Sequence, residues 1–208
     1  MCYSFRSSVI TFSIAITTIF LMYMRQTKID LYIAPLILTY AFMQFAEAFM
    51  WYDTSCGKIN KIGTYIGYIN LTLHLLAVGL GIYFVEKKIH GVIIGLLVFL
   101  YYLINMPSMK CSQYRNNTMY WGFRSDFYKN IYLIAVLLVS LSKMPIKYKV
   151  ITISWYSMSW LYFFHEQFNI FSYFRRKSYD TNFISSLWCH ICSLSAPGLY
   201  LIQNIIKP

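Results

Sequence analysis

Long apolar runs alternate with short polar clusters along the whole chain. Seven of these runs approach the length of a membrane-spanning helix: residues 8–24, 31–51, 62–85, 89–104, 128–142, 150–168 and 183–206. About 20 residues rising ~1.5 Å each cover the ~30 Å hydrocarbon core of a bilayer. In lipid the backbone must pair within the protein, and these runs are twice the length of barrel strands. The pattern therefore predicts an all-α, polytopic transmembrane helix bundle forming a single domain over 1–208 and leaving no segment for a soluble one. The fifth run is the shortest: Lys129 and Lys143 enclose roughly 20 Å of uncharged helix. The expectation is seven spans, or six if the fifth is re-entrant. Arg6 alone precedes the first run and no small-x-small cleavage site follows it, which predicts a retained anchor and not a removed signal.

Residues 105–127 form the longest connection, too short and too polar to bury a core of their own, with Tyr120 and Trp121 expected at the headgroups. Gly63-x-x-x-Gly67 and Gly91-x-x-x-Gly95 would let neighbouring helices approach closely, and Pro35 and Pro197 lie inside spans two and seven.

Composition sharpens this picture. Of 208 residues 58% are hydrophobic and only 12% charged, far from the balance of soluble domains. The formal charge of +11 sits in clusters between the spans. That is the pattern of membrane flanks facing a lipid bilayer, and it argues against a nucleic-acid partner. Lys and Arg divide almost evenly between the two faces and orient the chain poorly. An outside amino terminus is favoured because the tightest Lys-bearing turns would then be cytoplasmic and Asn116-Asn117-Thr118 would be a usable glycosylation acceptor.

Odd spans start, and even spans end, on the amino-terminal face, so the depths of polar residues can be compared between helices. Tyr40, Gln44, Glu47 and Trp51 recur at i, i+4, i+7 and i+11 on one face of span two, with Glu47 roughly 6 Å inside Trp51. Span three carries a small and polar stripe of Gly67, Asn70, His74, Ala77 and Gly81. Span six brings His165 and Glu166 to the same face, and span seven opens there with Ser185, Ser186, Cys189, His190, Cys192 and Ser193. An ionisable group inside a span usually faces the bundle interior and a partner. Gln44, Glu47, Trp51, His74, Glu166, Cys189 and His190 are thus the candidate binding residues, with Glu47, His74 and His190 as candidate metal ligands. The alternative for Glu47 is a protonated carboxyl bonded to Gln44 or a Tyr hydroxyl for helix packing. For His74 it is a satisfied interior imidazole, and for His165 and Glu166 it is solvation near a span end.

All five cysteines map to the amino-terminal side. If that side is lumenal or extracellular, a disulfide among Cys2, Cys56 and Cys111 is open, with one thiol left over. If it is cytosolic, Cys2 can be acylated and the others remain free. Cys189-His190-x-Cys192 lacks the paired knuckle of a zinc module.

No phosphate loop, G-x-S-x-G, H-E-x-x-H or paired C-x-x-C occurs. Span seven has no Lys before Lys207, so no retinal Schiff base has an anchor. The D-R-Y and N-P-x-x-Y signatures of G-protein-coupled receptors are absent. Seven-span zinc proteins such as alkaline ceramidases carry H-x-x-x-H in the last span, where this chain has only His190.

Met1-Cys2-Tyr3-Ser4, Gln44-x-x-Glu47-x-x-x-Trp51 and Ser186-Leu187-Trp188-Cys189 together resemble an uncharacterised multi-pass family of bacteria and large DNA viruses. Its members begin Met-Cys-aromatic-Ser and carry a similar Q-x-x-E-x-x-x-W. The resemblance implies topology and directs attention to Cys2, Gln44, Glu47, Trp51, Trp188 and Cys189. It implies no activity and no catalytic residue. With the Ile, Asn, Lys and Tyr bias of an AT-rich genome, it points to a viral source and a host or virion membrane. Three functions stay open: binding or movement of a small solute or proton through a polar pocket in one leaflet, a structural or assembly role, and a membrane-embedded metal-dependent lipid hydrolase. Homo-oligomerisation is compatible with all three.

Overall fold

The computed structural model describes residues 4–115, 118–123, 127–154 and 193–201. Helix α1 is Phe5–Arg25, α2 Lys28–Tyr52, α3 Lys58–Thr72, α4 His74–Glu86, α5 His90–Ile104 and α6 Tyr128–Leu141. Residues 146–154 (α7) and 193–201 (α8) are also helical. The class is all-α, with eight helices and one short hairpin among the described residues, β1 (Gln113–Arg115) and β2 (Thr118–Tyr120), paired antiparallel with Tyr114 opposite Met119. Among the described residues two helices, α1 and α2, are long and apolar enough to cross a membrane; α3 and α4, bent by 43° at a one-residue break, make a third if they form one span. The shorter apolar helices α5 and α6 reach roughly 22 Å and 21 Å. Most of the sixth and seventh predicted spans lies outside the described residues.

The boundaries of α1 and α2 have local causes. Ser4 caps α1 by accepting the Ser7 N–H, and Gln26 ends it in the left-handed region at φ 54°. Thr27 and Asp30 form a reciprocal capping box that starts α2. Asp30 is fully buried and also takes Arg25 Nη2 and Nε at 2.5 and 2.7 Å. Arg25 in turn lies 4.1 Å over the Tyr200 ring and donates to the Tyr200 carbonyl at 3.1 Å. The α1–α2 turn and α8 therefore meet at one end of the bundle. The α2–α3 turn and residues 106–123 meet at the other, where Phe5 of α1 also packs on Tyr52 at 5.8 Å. We refer to this second end as the capped end.

α2 is the central helix, packed against α1, α3 and α4. On α1 four of the six buried positions are small or hydroxylated (Ser8, Thr11, Ala15, Thr18), joined by Ile19 and Met22, whereas Ile10, Ile14, Phe20, Leu21 and Met24 point outward. α5 buries only Gly91 and Gly95 and exposes Ile93, Leu96, Leu97, Leu100 and Ile104. Small residues between helices with bulky apolar ones outside is the distribution that lipid as solvent permits. Both G-x-x-x-G pairs sit at such contacts. A Cβ on Gly63 would lie 2.7 Å from the Ala46 carbonyl of α2, and one on Gly95 would lie 2.5 Å from the Leu76 Cα of α4.

Part of the connection 105–127 packs into the bundle. Met119, Trp121 and Phe123 are buried in the main core, Trp121 at 4% exposure. The segment was expected to lack a core because it is polar on average, but its three large apolar side chains join the core that α2 and α3 already provide.

Alanine at Gly95 meets backbone, whereas alanine at Gly67 meets only the flexible ends of Met43 and Met50 at 3.2 Å. Gly95→Ala is expected to cost about 1–3 kcal/mol by overpacking, and Gly67→Ala clearly less. Thermal unfolding of the two variants in the same detergent checks the order.

Candidate functional site

The capped end is built from the α2–α3 turn. Asp53, just past α2, accepts Ser55 Oγ–H at 2.8 Å, Gly57 N–H at 3.1 Å and Asn60 N–H at 3.3 Å. It thereby supplies the N-terminal bonds that Gly57, with no side chain, cannot give α3. These donors, the Ser55 hydroxyl foremost, hold the Asp53 carboxyl below its ordinary range.

Asn60 is fully buried and holds residue 112 of the connecting segment from both sides. Its Oδ1 accepts Ser112 N–H at 2.8 Å while its Nδ2 donates to the Ser112 carbonyl at 2.9 Å and to the Met50 carbonyl at 3.3 Å. The Thr64 and Ser112 hydroxyls bond at 2.8 Å, and Gly122 N–H donates to Ser112 Oγ at 3.0 Å. Next to this clamp, Cys56 and Cys111 form a disulfide with their Cα atoms 5.4 Å apart. Lys110 N–H donates to the Gly122 carbonyl at 2.9 Å, an approach so close that a Cβ on Gly122 would fall 1.9 Å from the Lys110 carbonyl oxygen.

This fastening sets the position of Trp121. Its indole N–H donates to Glu47 Oε1 at 3.2 Å, and Gln44 Nε2 donates to Glu47 Oε2 at 3.3 Å. Gln44 and Glu47 are fully buried, and Tyr40 of the same α2 face is 1% exposed. Phe123 stacks on Trp121 at 5.4 Å and meets Tyr68 of α3 edge-on at 5.7 Å. A buried carboxyl accepting from neutral donors on both oxygens is satisfied in place.

The predicted residues are only partly brought together. Gln44 and Glu47 form the centre. Trp51 lies at the rim against Tyr114, ring centroids 5.4 Å apart, and its buried N–H has no hydrogen-bond partner among the described residues. His74 is fully buried deeper along the bundle, 4.8 Å from the Tyr40 ring. Glu166, Cys189 and His190 lie outside the described residues, as do Cys2, His165, Cys192 and Asn116. Among the described residues no three His, Cys, Asp or Glu side chains are grouped to hold a metal ion. Trp121, Asn60 and Ser112 went unrecognised as site residues. So did the Arg25–Asp30 pair, although Thr27-x-x-Asp30 is a legible capping signal.

No family model, curated protein or solved structure matches the chain.

Because the folded Asp53 carboxyl is held low, its stabilising effect is present above the unfolded carboxylate value, near ~3.9, and is lost as pH falls through the lower folded value. Asp53→Asn should therefore lower the unfolding temperature at pH 7. The gap to the parent protein should close as pH is taken below the carboxylate range, which thermal melts across pH will read.

Proposed function

We propose that the chain is an integral multi-pass membrane protein of seven crossings that binds or moves a small solute or proton through the polar pocket around Glu47. The observation that carries this reading is Glu47 itself, a carboxyl with 0% exposure held beneath a fastened segment at the end of a membrane-length helix. Burying such a group is costly, and in a span it marks a solute or proton pathway by default.

Several features support the topology. Successive turns alternate between the two ends from α1 to α6, and Tyr200 of α8 meets Arg25 at the end opposite the amino terminus of α1. Those contacts suit an odd number of crossings. The Cys56–Cys111 disulfide suits an oxidising compartment, so the capped end and the amino terminus lie outside in this reading. Membership in the resembling family, and a viral source in a host or virion membrane, belong to the same proposal and rest on the three motifs alone.

A structural or assembly role is the second reading, favoured by the good fit of Gln44 and Trp121 to both Glu47 oxygens. Flux decides between them. In liposomes loaded with a pH dye, the protein should dissipate a proton or solute gradient faster than protein-free vesicles. Glu47→Gln should lower that rate about tenfold or more, as expected for losing an interaction worth ~1.5–3 kcal/mol. A folded Glu47→Gln protein with unchanged flux supports the structural role instead.

A further inference from the structure

A helix that breaks inside a membrane leaves backbone groups that need local partners. Between α3 and α4 the break at Leu73 is mended within a few residues. Leu73 N–H donates to the Ile69 and Asn70 carbonyls at 3.2 and 3.1 Å, and Thr72 Oγ1 donates to the Ile69 carbonyl at 2.6 Å. Asn70 Nδ2 ties the break to α2 through the Thr39 carbonyl at 2.6 Å.

The His74 imidazole completes this repair, since its Nδ1 lies 3.2 Å from the Asn70 carbonyl. A carbonyl only accepts, so Nδ1 carries the proton and Nε2 is a bare acceptor. That atom is buried and has no hydrogen-bond partner among the described residues. The imidazole otherwise meets two rings close to perpendicular, Tyr40 of α2 at 4.8 Å and Tyr128 of α6 at 5.2 Å. A buried acceptor left open is rare in a folded protein and marks the place of a water, ion or ligand.

The surroundings restrict the occupant. No charged side chain among the described residues bonds to His74, and an apolar, buried setting disfavours a charged guest. Leu71 and Leu75 are fully buried beside it and Tyr40 and Tyr128 nearly so, a close-packed setting that favours a guest of few heavy atoms. Tyr40 continues through Gln44 to Glu47 along one face of α2, so a polar line runs from the break towards the capped end. Broken helices serve this purpose in transporters, where the interruption presents polar atoms at mid-membrane.

We propose that His74 Nε2 is the mid-membrane acceptor for a small uncharged hydrogen-bond donor, of the class of water, ammonia or urea, moving along the line that ends at Glu47. This rests on the reading of the Glu47 pocket as a solute path. The test uses the full chain in phosphatidylcholine vesicles, with stopped-flow light scattering for water and urea and an interior pH dye for ammonia. At least one probe is expected to cross about tenfold faster than in protein-free vesicles, and His74→Phe should remove that excess, a change equivalent to ~1.4 kcal/mol. Phenylalanine keeps the ring packing, and the Asn70 carbonyl keeps its bond from Leu73. His74→Gln, whose side-chain oxygen can accept, should recover most of the flux, and circular dichroism confirms that each variant is folded.

Vesicles no leakier than protein-free ones to all three probes overturn the proposal, and so does a His74→Phe protein as fast as the parent. Glu47→Gln separates the two readings. Flux lost in that variant but kept in His74→Phe rejects the His74 assignment alone. Flux lost in His74→Phe but kept in Glu47→Gln rejects the role of Glu47 and supports His74 as the acceptor.

Discussion

The two-sided grip of Asn60 on the backbone of Ser112 is the interaction on which the capped end depends. Three hydrogen bonds and the neighbouring Cys56–Cys111 link bring a segment that is polar on average onto the ends of α2 and α3. Once the segment is held there, Gly122 allows its backbone to run against Lys110, and Met119, Trp121 and Phe123 enter a core they could not form alone. The indole then reaches Glu47. The Glu47 carboxyl thereby acquires a lid made of an aromatic ring and a hydrogen bond. Losing the grip would uncover one of the most expensive side chains in the bundle to leave without partners.

The two ends of the bundle solve the same electrostatic problem differently. At the far end Asp30 is buried and ionic, with Arg25 as its partner and the Thr27 cap closing the third side. Removing one member of such a pair strands the other charge and costs about 3–5 kcal/mol, so this end is a rigid staple between α1, α2 and α8. Near the capped end Gln44 and Trp121 are neutral donors to Glu47, and the tie is correspondingly easier to rearrange. The contrast is why Glu47 and not Asp30 carries the functional proposal.

The helical class was legible from the apolar runs, of which two, or three with the bent pair, are helices long and apolar enough to cross a membrane among the described residues. The boundaries of α1, α2, α5 and α6 fall within three residues of the apolar runs. The small and polar stripe from Gly67 to Gly81 is buried against its neighbours as expected, although it crosses a break at Leu73 that its periodicity does not announce. The G-x-x-x-G pairs became contacts because a backbone can be approached closely only where no Cβ intervenes. What periodicity could not show is tertiary. Three cysteines on one face leave the pairing open, and only chain geometry selects Cys56 with Cys111. Asn60 reads as one more polar residue in a flank, and Trp121 as an interfacial anchor, until the segment between α5 and α6 is folded back over α2.

The contact between Trp121 and Glu47 can be observed directly in the protein labelled with 15N-tryptophan, its indole signal assigned by its absence from Trp121→Phe. Bonded to Glu47, this indole N–H is expected to exchange slowly with solvent and to shift its resonance when Glu47 is replaced by Gln. A Trp121 indole that exchanges as fast as an exposed one and is indifferent to that replacement would contradict that contact.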